Sequence, residues 1–132
     1  MTLRPALKIA TRQVGATTIL DLSGDITLFN SPEIRKALFT LLRENRVLHL
    51  LVNMQNVPYI DSSGVASLVE GLKASRESNA RFALYGLSKS ARTVLELTHL
   101  LRVFEVHQTE EEALRPEPPA TAGAASSSDE GT

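Results

Sequence analysis

The 132-residue chain has no cysteine and no tryptophan, and only 5% of its residues are aromatic. Without a thiol it can form no disulfide, no thiolate metal site and no cysteine nucleophile, which agrees with a reducing interior. It has no apolar run near the roughly 20 residues a membrane-spanning helix requires. Met1-Thr2-Leu3-Arg4-Pro5 lacks the apolar stretch of a secretory signal. A formal net charge of −1 supplies no bulk attraction for nucleic acid. The expectation is one soluble, cytoplasmic domain that neither inserts into a membrane nor binds nucleic acid. Its length suffices for one core but not two.

What is present alternates between strand and helix patterns. Leu7 to Val14 and Thr17 to Ser23 show period-two spacing around Gly15-Ala16, which predicts a hairpin. Ser31-Pro32-Glu33 predicts a helix start capped by a hydroxyl, and Ile34, Ala37, Leu38, Leu41 and Leu42 carry its buried stripe to about Glu44. Val47 to Met54 is apolar almost throughout, as in a central strand covered on both faces. Strand, helix, strand in that order favours a right-handed parallel crossover. A second helix from Ser62 to about Ser78 buries Val65, Leu68, Val69 and Leu72. Arg81 to Tyr85 predicts a strand, Ser88 caps a third helix, and Val103 to Val106 predicts a short last strand. Thr109-Glu110-Glu111-Glu112 has the form of a capping box and predicts a brief helix to about Leu114.

From Pro116 to Thr132 the composition shifts to Pro, Ala, Gly, Ser and acids, which predicts a disordered tail beyond a domain of residues 1–115. Setting aside its Glu117, Asp129 and Glu130 takes the formal charge from −1 to +2, close to neutral.

Catalytic patterns are missing. His49, His99 and His107 lack ligand spacing, so neither a metal site nor a cofactor is expected, and His49 reads as a structural residue of a buried strand. No G-x-S-x-G elbow surrounds Ser62, and Gly86-Leu87-Ser88-Lys89-Ser90 lacks phosphate-loop spacing. The chain reads as a non-enzyme. Leu28, Phe29, Tyr59 and Ile60 are large apolar residues in segments that look like loops, so they either tuck under the sheet or form a contact surface.

The most informative stretch is Tyr59-Ile60-Asp61-Ser62-Ser63-Gly64-Val65-Ala66, between a buried strand and a helix start. Asp61, Ser62 or Ser63 can cap the helix. A helix N-terminus also welcomes a phosphate, so a capping hydroxyl there can be a modification site as well.

This stretch resembles the phosphorylation motif of anti-sigma factor antagonists, a bacterial family of STAS domains. Leu22-Ser23-Gly24-Asp25-Ile26, Ala91-Arg92-Thr93-Val94-Leu95-Glu96-Leu97-Thr98 and Val103-Phe104-Glu105-Val106 match the same family, so the resemblance covers about Leu7 to Leu114. It implies an α/β fold, a single domain with a mixed five-strand sheet and helices packed mainly on one side. It implies no catalysis by this chain. Instead, the unphosphorylated form binds a serine-kinase anti-sigma factor and so releases a sigma factor. Phosphorylation at Ser62, or alternatively Ser63, ends that binding, and a PP2C-type phosphatase reverses it. The implied partner-binding residues are Asp61, Ser62, Ser63, Gly64, Val65, Tyr59, Asp25 and Thr27. Gly24-Asp25-Ile26-Thr27 stands where family members often carry G-E-L-D, so a carboxylate gives way to Thr27. An alternative within the fold is an accessory STAS subunit of a transporter or lipid-trafficking complex. A small enzyme using Ser62 lacks a paired base.

Overall fold

The computed structural model describes residues 6–116. They form β1 (Lys8–Val14), β2 (Thr17–Ser23), α1 (Ser31–Phe39), β3 (His49–Asn56), α2 (Ser62–Glu77), β4 (Arg81–Tyr85), α3 (Lys89–Leu97), β5 (Glu105–His107) and α4 (Glu110–Ala113). The strands lie in the order β1-β2-β3-β4-β5, with β1 antiparallel to β2 and every other neighbouring pair parallel. The mixed five-strand sheet that the resemblance implies is therefore present. Disorder was expected for 116–132, of which 117–132 lies outside the described residues.

Period-two alternation sends the side chains of the central strands to opposite faces. Leu20, Leu22, Leu50, Val52, Met54 and Leu84 meet the buried stripes of α1, α2 and α3 in the main core. Ile19, Leu51, Ala83 and Tyr85 point the other way, where Ala113 of α4 packs on them. Three helices thus cover one face, and one short helix part of the other.

The boundaries moved where chain reversals compete with strand pairing. The apolar run from Val47 enters β3 only at His49, because the Val47 amide donates to Leu41 O (3.0 Å) to close α1 and Arg46 is left-handed (φ 53°). The last turn of α1, Thr40–Glu44, widens to a π-helix. The last strand begins at Glu105 rather than Val103, whose amide completes a turn onto Leu100 O (3.0 Å). Ser31 does not cap α1. It is the first helical residue, and the capping position falls to Asn30, whose side chain bonds backward into the preceding loop. Ser88 and Thr109 cap α3 and α4 as expected, accepting from the amides of Ala91 (3.0 Å) and Glu112 (3.2 Å).

Polar networks on the α4 face pin that helix down. Arg12 bonds Asp21 (2.7 Å) and Glu110, while the Tyr85 hydroxyl donates to Glu110 (2.7 Å) and the Asn53 amide to Asp21 (2.7 Å). Arg81 bonds Glu105 (3.1 Å) and donates to the Arg115 carbonyl (2.5 Å), and His107 lies 2.6 Å from Glu105. His49 sits nearby with Nδ1 2.9 Å from Thr17 Oγ1. Burial, reinforced by the charge of Arg81, holds His49 below the ordinary histidine value, so it is neutral at physiological pH.

Burial of Glu105 favours its protonated form, but hydrogen bonds and charge from Arg81 and His107 outweigh this and hold its pKa below the ordinary 4.5. Its stabilising contribution is therefore complete above 4.5 and is lost as pH falls through the lower, folded value. Glu105→Gln should cost about 1–3 kcal/mol at neutral pH. The gap to the parent should narrow as pH falls through the lowered folded-state value, where Glu105 becomes protonated and neutral like glutamine. Thermal melts across pH measure both effects.

Candidate functional site

The carboxyl ends of the parallel strands β2, β3 and β4 feed three loops, and α1, α2 and α3 begin from these loops at one pole of the molecule. This is where an open α/β sheet offers a ligand or partner its crevice. Ile26 of the first loop and Ile60 of the second form an isolated parallel bridge that carries the β2–β3 pairing past the strand ends. The Ile26 amide donates to Tyr59 O (2.9 Å) and the Asp61 amide to Ile26 O (3.0 Å). Ser88 Oγ donates to Pro58 O (3.3 Å), linking the third loop to the second.

Asp61 joins the two sides of the crevice. Its Oδ1 caps α2 by accepting from the Gly64 amide (3.0 Å) and also accepts from the Ser63 hydroxyl (2.5 Å). Its Oδ2 accepts from the Leu28 amide across the crevice (3.0 Å). Burial alone would raise the pKa of this carboxyl. The hydrogen bonds from Ser63, Gly64 and Leu28 reverse the shift, so the pKa lies below the ordinary value and the group is ionised at neutral pH.

The two serines of the motif are placed differently. Ser63 is half-buried with its hydroxyl committed to Asp61, whereas Ser62, the first residue of α2, is exposed. Gly64 lies beneath them against the bridge: a Cβ there would stand 2.5 Å from Ile26 Cγ2 and 2.6 Å from Ile60 Cγ1. A larger residue fits only if the Ile26 and Ile60 side chains or the start of α2 shift. Val65 is likewise buried, so both residues support the surface from below. Tyr59 is exposed, and Asp25 and Thr27 are half-buried in the first loop.

The large apolar loop residues divide. Ile60 is fully buried in the bridge, while Leu28 and Phe29 are 68% and 93% exposed beside Asp61. An almost fully exposed phenylalanine flanked by an exposed leucine marks a contact surface rather than a core. Sequence reasoning missed Asn30 and Ser67. Asn30 Oδ1 accepts from the Thr27 amide (2.9 Å) and its Nδ2 donates to Asp25 O (2.9 Å), which fixes the curl that presents Leu28 and Phe29. An Asn three residues after Thr27 and ahead of Ser-Pro is the available signal, because Asx side chains close such turns. Ser67 Oγ bonds Ser31 O (3.1 Å) and so joins α2 to α1. Nothing in its helical pattern distinguishes it.

No group of three or more His, Cys, Asp or Glu able to hold a metal occurs among the described residues. None of their helices is long and apolar enough to cross a membrane. The crevice presents one exposed hydroxyl, one fixed carboxylate and an apolar rim.

Asp61→Ala removes the cap and the cross-loop tether together and should cost about 1–2 kcal/mol of stability. The Leu28 amide, which loses its acceptor, should exchange with solvent faster than in the parent, while amides of β3 change only with global stability. Amide-resolved hydrogen exchange checks both.

Comparison with known proteins completes the picture. An anti-sigma-B factor antagonist of Staphylococcus aureus is 28% identical over 85 residues, covering 64% of this chain and 78% of that protein. The crystal structure of an anti-sigma factor antagonist from Mycobacterium paratuberculosis superposes with a TM-score of 0.75 at 17% identity, covering 83% of this chain and 92% of that one. The anti-sigma factor antagonist SpoIIAA superposes in its unphosphorylated form with a TM-score of 0.69, over 80% of this chain and 92% of that one. In its phosphorylated form the score is 0.63, over 82% and 96%, and both are 23% identical to this chain. The STAS domain family matches residues 8–113, which is all five strands and all four helices, and the chain belongs to that family.

Proposed function

We propose that this STAS domain is an anti-sigma factor antagonist that works by partner switching. Unphosphorylated, it binds a serine-kinase anti-sigma factor through the crevice and thereby releases a sigma factor. Phosphorylation at Ser62 ends the binding, and a PP2C-type phosphatase restores it. The observation that carries this reading is the contrast between the serines: Ser62 is exposed on the first turn of α2, and the Ser63 hydroxyl is engaged by Asp61. The names of the relatives point the same way, and SpoIIAA keeps a superposable fold in its phosphorylated form. Regulation by binding rather than catalysis fits a site with no nucleophile–base pair.

In the transfer, Ser62 Oγ bonds the γ-phosphorus of ATP held by the kinase, ADP leaves, and the hydroxyl proton passes to a base. Asp61 is poorly suited to be that base, because both of its oxygens already accept hydrogen bonds and its pKa is depressed. The kinase must therefore supply it. Asp61 orients the segment, and Leu28, Phe29 and Tyr59 provide the apolar contact.

Incubation with the anti-sigma kinase and ATP, followed by mass spectrometry, should locate phosphate on Ser62. Ser62→Ala should abolish labelling and Ser63→Ala should retain it. Full-rate labelling of Ser62→Ala would refute the assignment. Phe29→Ala should weaken binding to the kinase by about 2 kcal/mol, the scale of an aromatic interface anchor. That is roughly 30-fold in Kd. Its melting temperature should hold, since the ring touches solvent rather than core.

A further inference from the structure

The pole opposite Ser62 carries a second feature. Arg76, near the end of α2, lies 14 residues beyond Ser62, which at about 1.5 Å per residue places it roughly 21 Å away. There the end of α2, the start of β4 and the approach to β5 enclose a groove of about 210 Å³. Leu72, Phe82 and Phe104 supply its apolar lining, and Arg76, Arg81 and Arg102 its cations. Arg81 is paired with Glu105. Arg76 and Arg102 are exposed and join no ion pair among the described residues. Two uncompensated guanidinium groups beside one groove repel each other, and a carboxylate between them relieves that repulsion with bidentate geometry.

The chain itself brings acids to this place. Arg81 Nη1 donates to the Arg115 carbonyl (2.5 Å), so the polypeptide leaves the described structure beside the groove. Residues 117–132 contain Glu117, Asp129 and Glu130 and no lysine or arginine. Asp129 stands 14 residues beyond Arg115, and a chain of that length, if unstructured, spans roughly 20 Å on average. A tether of this kind gives a local concentration of about a millimolar, far above that of a free acidic peptide at micromolar levels. An extended polyanion such as nucleic acid fits less well, because Glu77 and Glu105 interrupt the basic surface.

We propose that the acidic segment Asp129-Glu130 docks in cis across Arg76 and Arg102, occupying a second surface remote from Ser62. An acidic peptide from outside would have to displace it. Partner exchange at the Ser62 pole and occupancy of this groove are then separate events on one domain.

The absence of cysteine makes the test direct, since Ser127→Cys creates a single attachment point for a nitroxide on the full chain. In low salt, paramagnetic relaxation should concentrate on the amides of Arg76, Arg81 and Arg102 to Glu105 and spare those of Asp61 to Gly64. Arg76→Gln combined with Arg102→Gln should reduce it about fivefold, the scale of two weak exposed charge pairs. About 1 M salt should do the same, because the Debye length falls to about 3 Å. Asp129→Asn combined with Glu130→Gln gives the same reading while leaving the folded domain untouched. Relaxation spread evenly over both poles, or persisting in the charge-neutral variants, would overturn the proposal. So would relaxation of equal size between spin-labelled and isotope-labelled molecules that are merely mixed, which would mean that the segment of a second copy is bound.

Discussion

The Asp61 carboxylate holds the candidate site together, with three hydrogen bonds divided between two loops and a helix. Two of its acceptor interactions start α2, and the third holds the Leu28 amide on the other side of the crevice. The bond from Ser63 is short (2.5 Å), and the group is ionised because the three together outweigh its desolvation. Once Asp61 is fixed, Ser63 is occupied, Ser62 faces solvent, and the loop bearing Leu28 and Phe29 is anchored at its root. The Ile26–Ile60 bridge and the glycine beneath it bring the loops close enough for the carboxylate to reach.

This arrangement separates the surface from the core. The helix bearing Ser62 is anchored along its length by Leu68 and Leu72 in the main core and by the Ser67 bond to α1. A phosphoryl group on its first turn meets the positive end of the helix dipole, worth about 0.3–1 kcal/mol in its favour. The same group faces an ionised Asp61 and an apolar rim, so a partner covering them must accommodate about two added negative charges. Unfavourable desolvation at a packed interface runs to about 2–5 kcal/mol, which exceeds the local gain. Under the proposed switch, affinity is therefore the quantity that changes, and the fold persists.

Much of this was legible in the sequence because it rests on periodicity and local capping. The alternation in Thr17 to Ser23, the apolar run into Met54 and the stripe from Val65 to Leu72 each predicted the correct element, while the order of the strands was not read from them. The D-S-S-G stretch marked the candidate site, and Asp61 was among its three possible caps. What local pattern could not show was long-range. Ser31 looked like a cap, yet Asn30 takes that position and spends its amide on the loop before it. Leu28, Phe29, Tyr59 and Ile60 looked equivalent, and only the bridge to Ile26 decides that Ile60 is core while the others face solvent. The link from Asp61 to the Leu28 amide joins residues 33 apart and leaves no local trace.

The central claim is that charge at Ser62 controls binding without disturbing the fold. The most direct measurement is a calorimetric titration of the anti-sigma kinase with the unphosphorylated chain and with chain phosphorylated stoichiometrically at Ser62, each also melted on its own. The account predicts that phosphorylation weakens binding by about 30-fold or more, the affinity equivalent of 2 kcal/mol or greater. The melting temperatures should stay close together. Equal affinities, or a phosphorylated chain that has lost its cooperative melt, would contradict it.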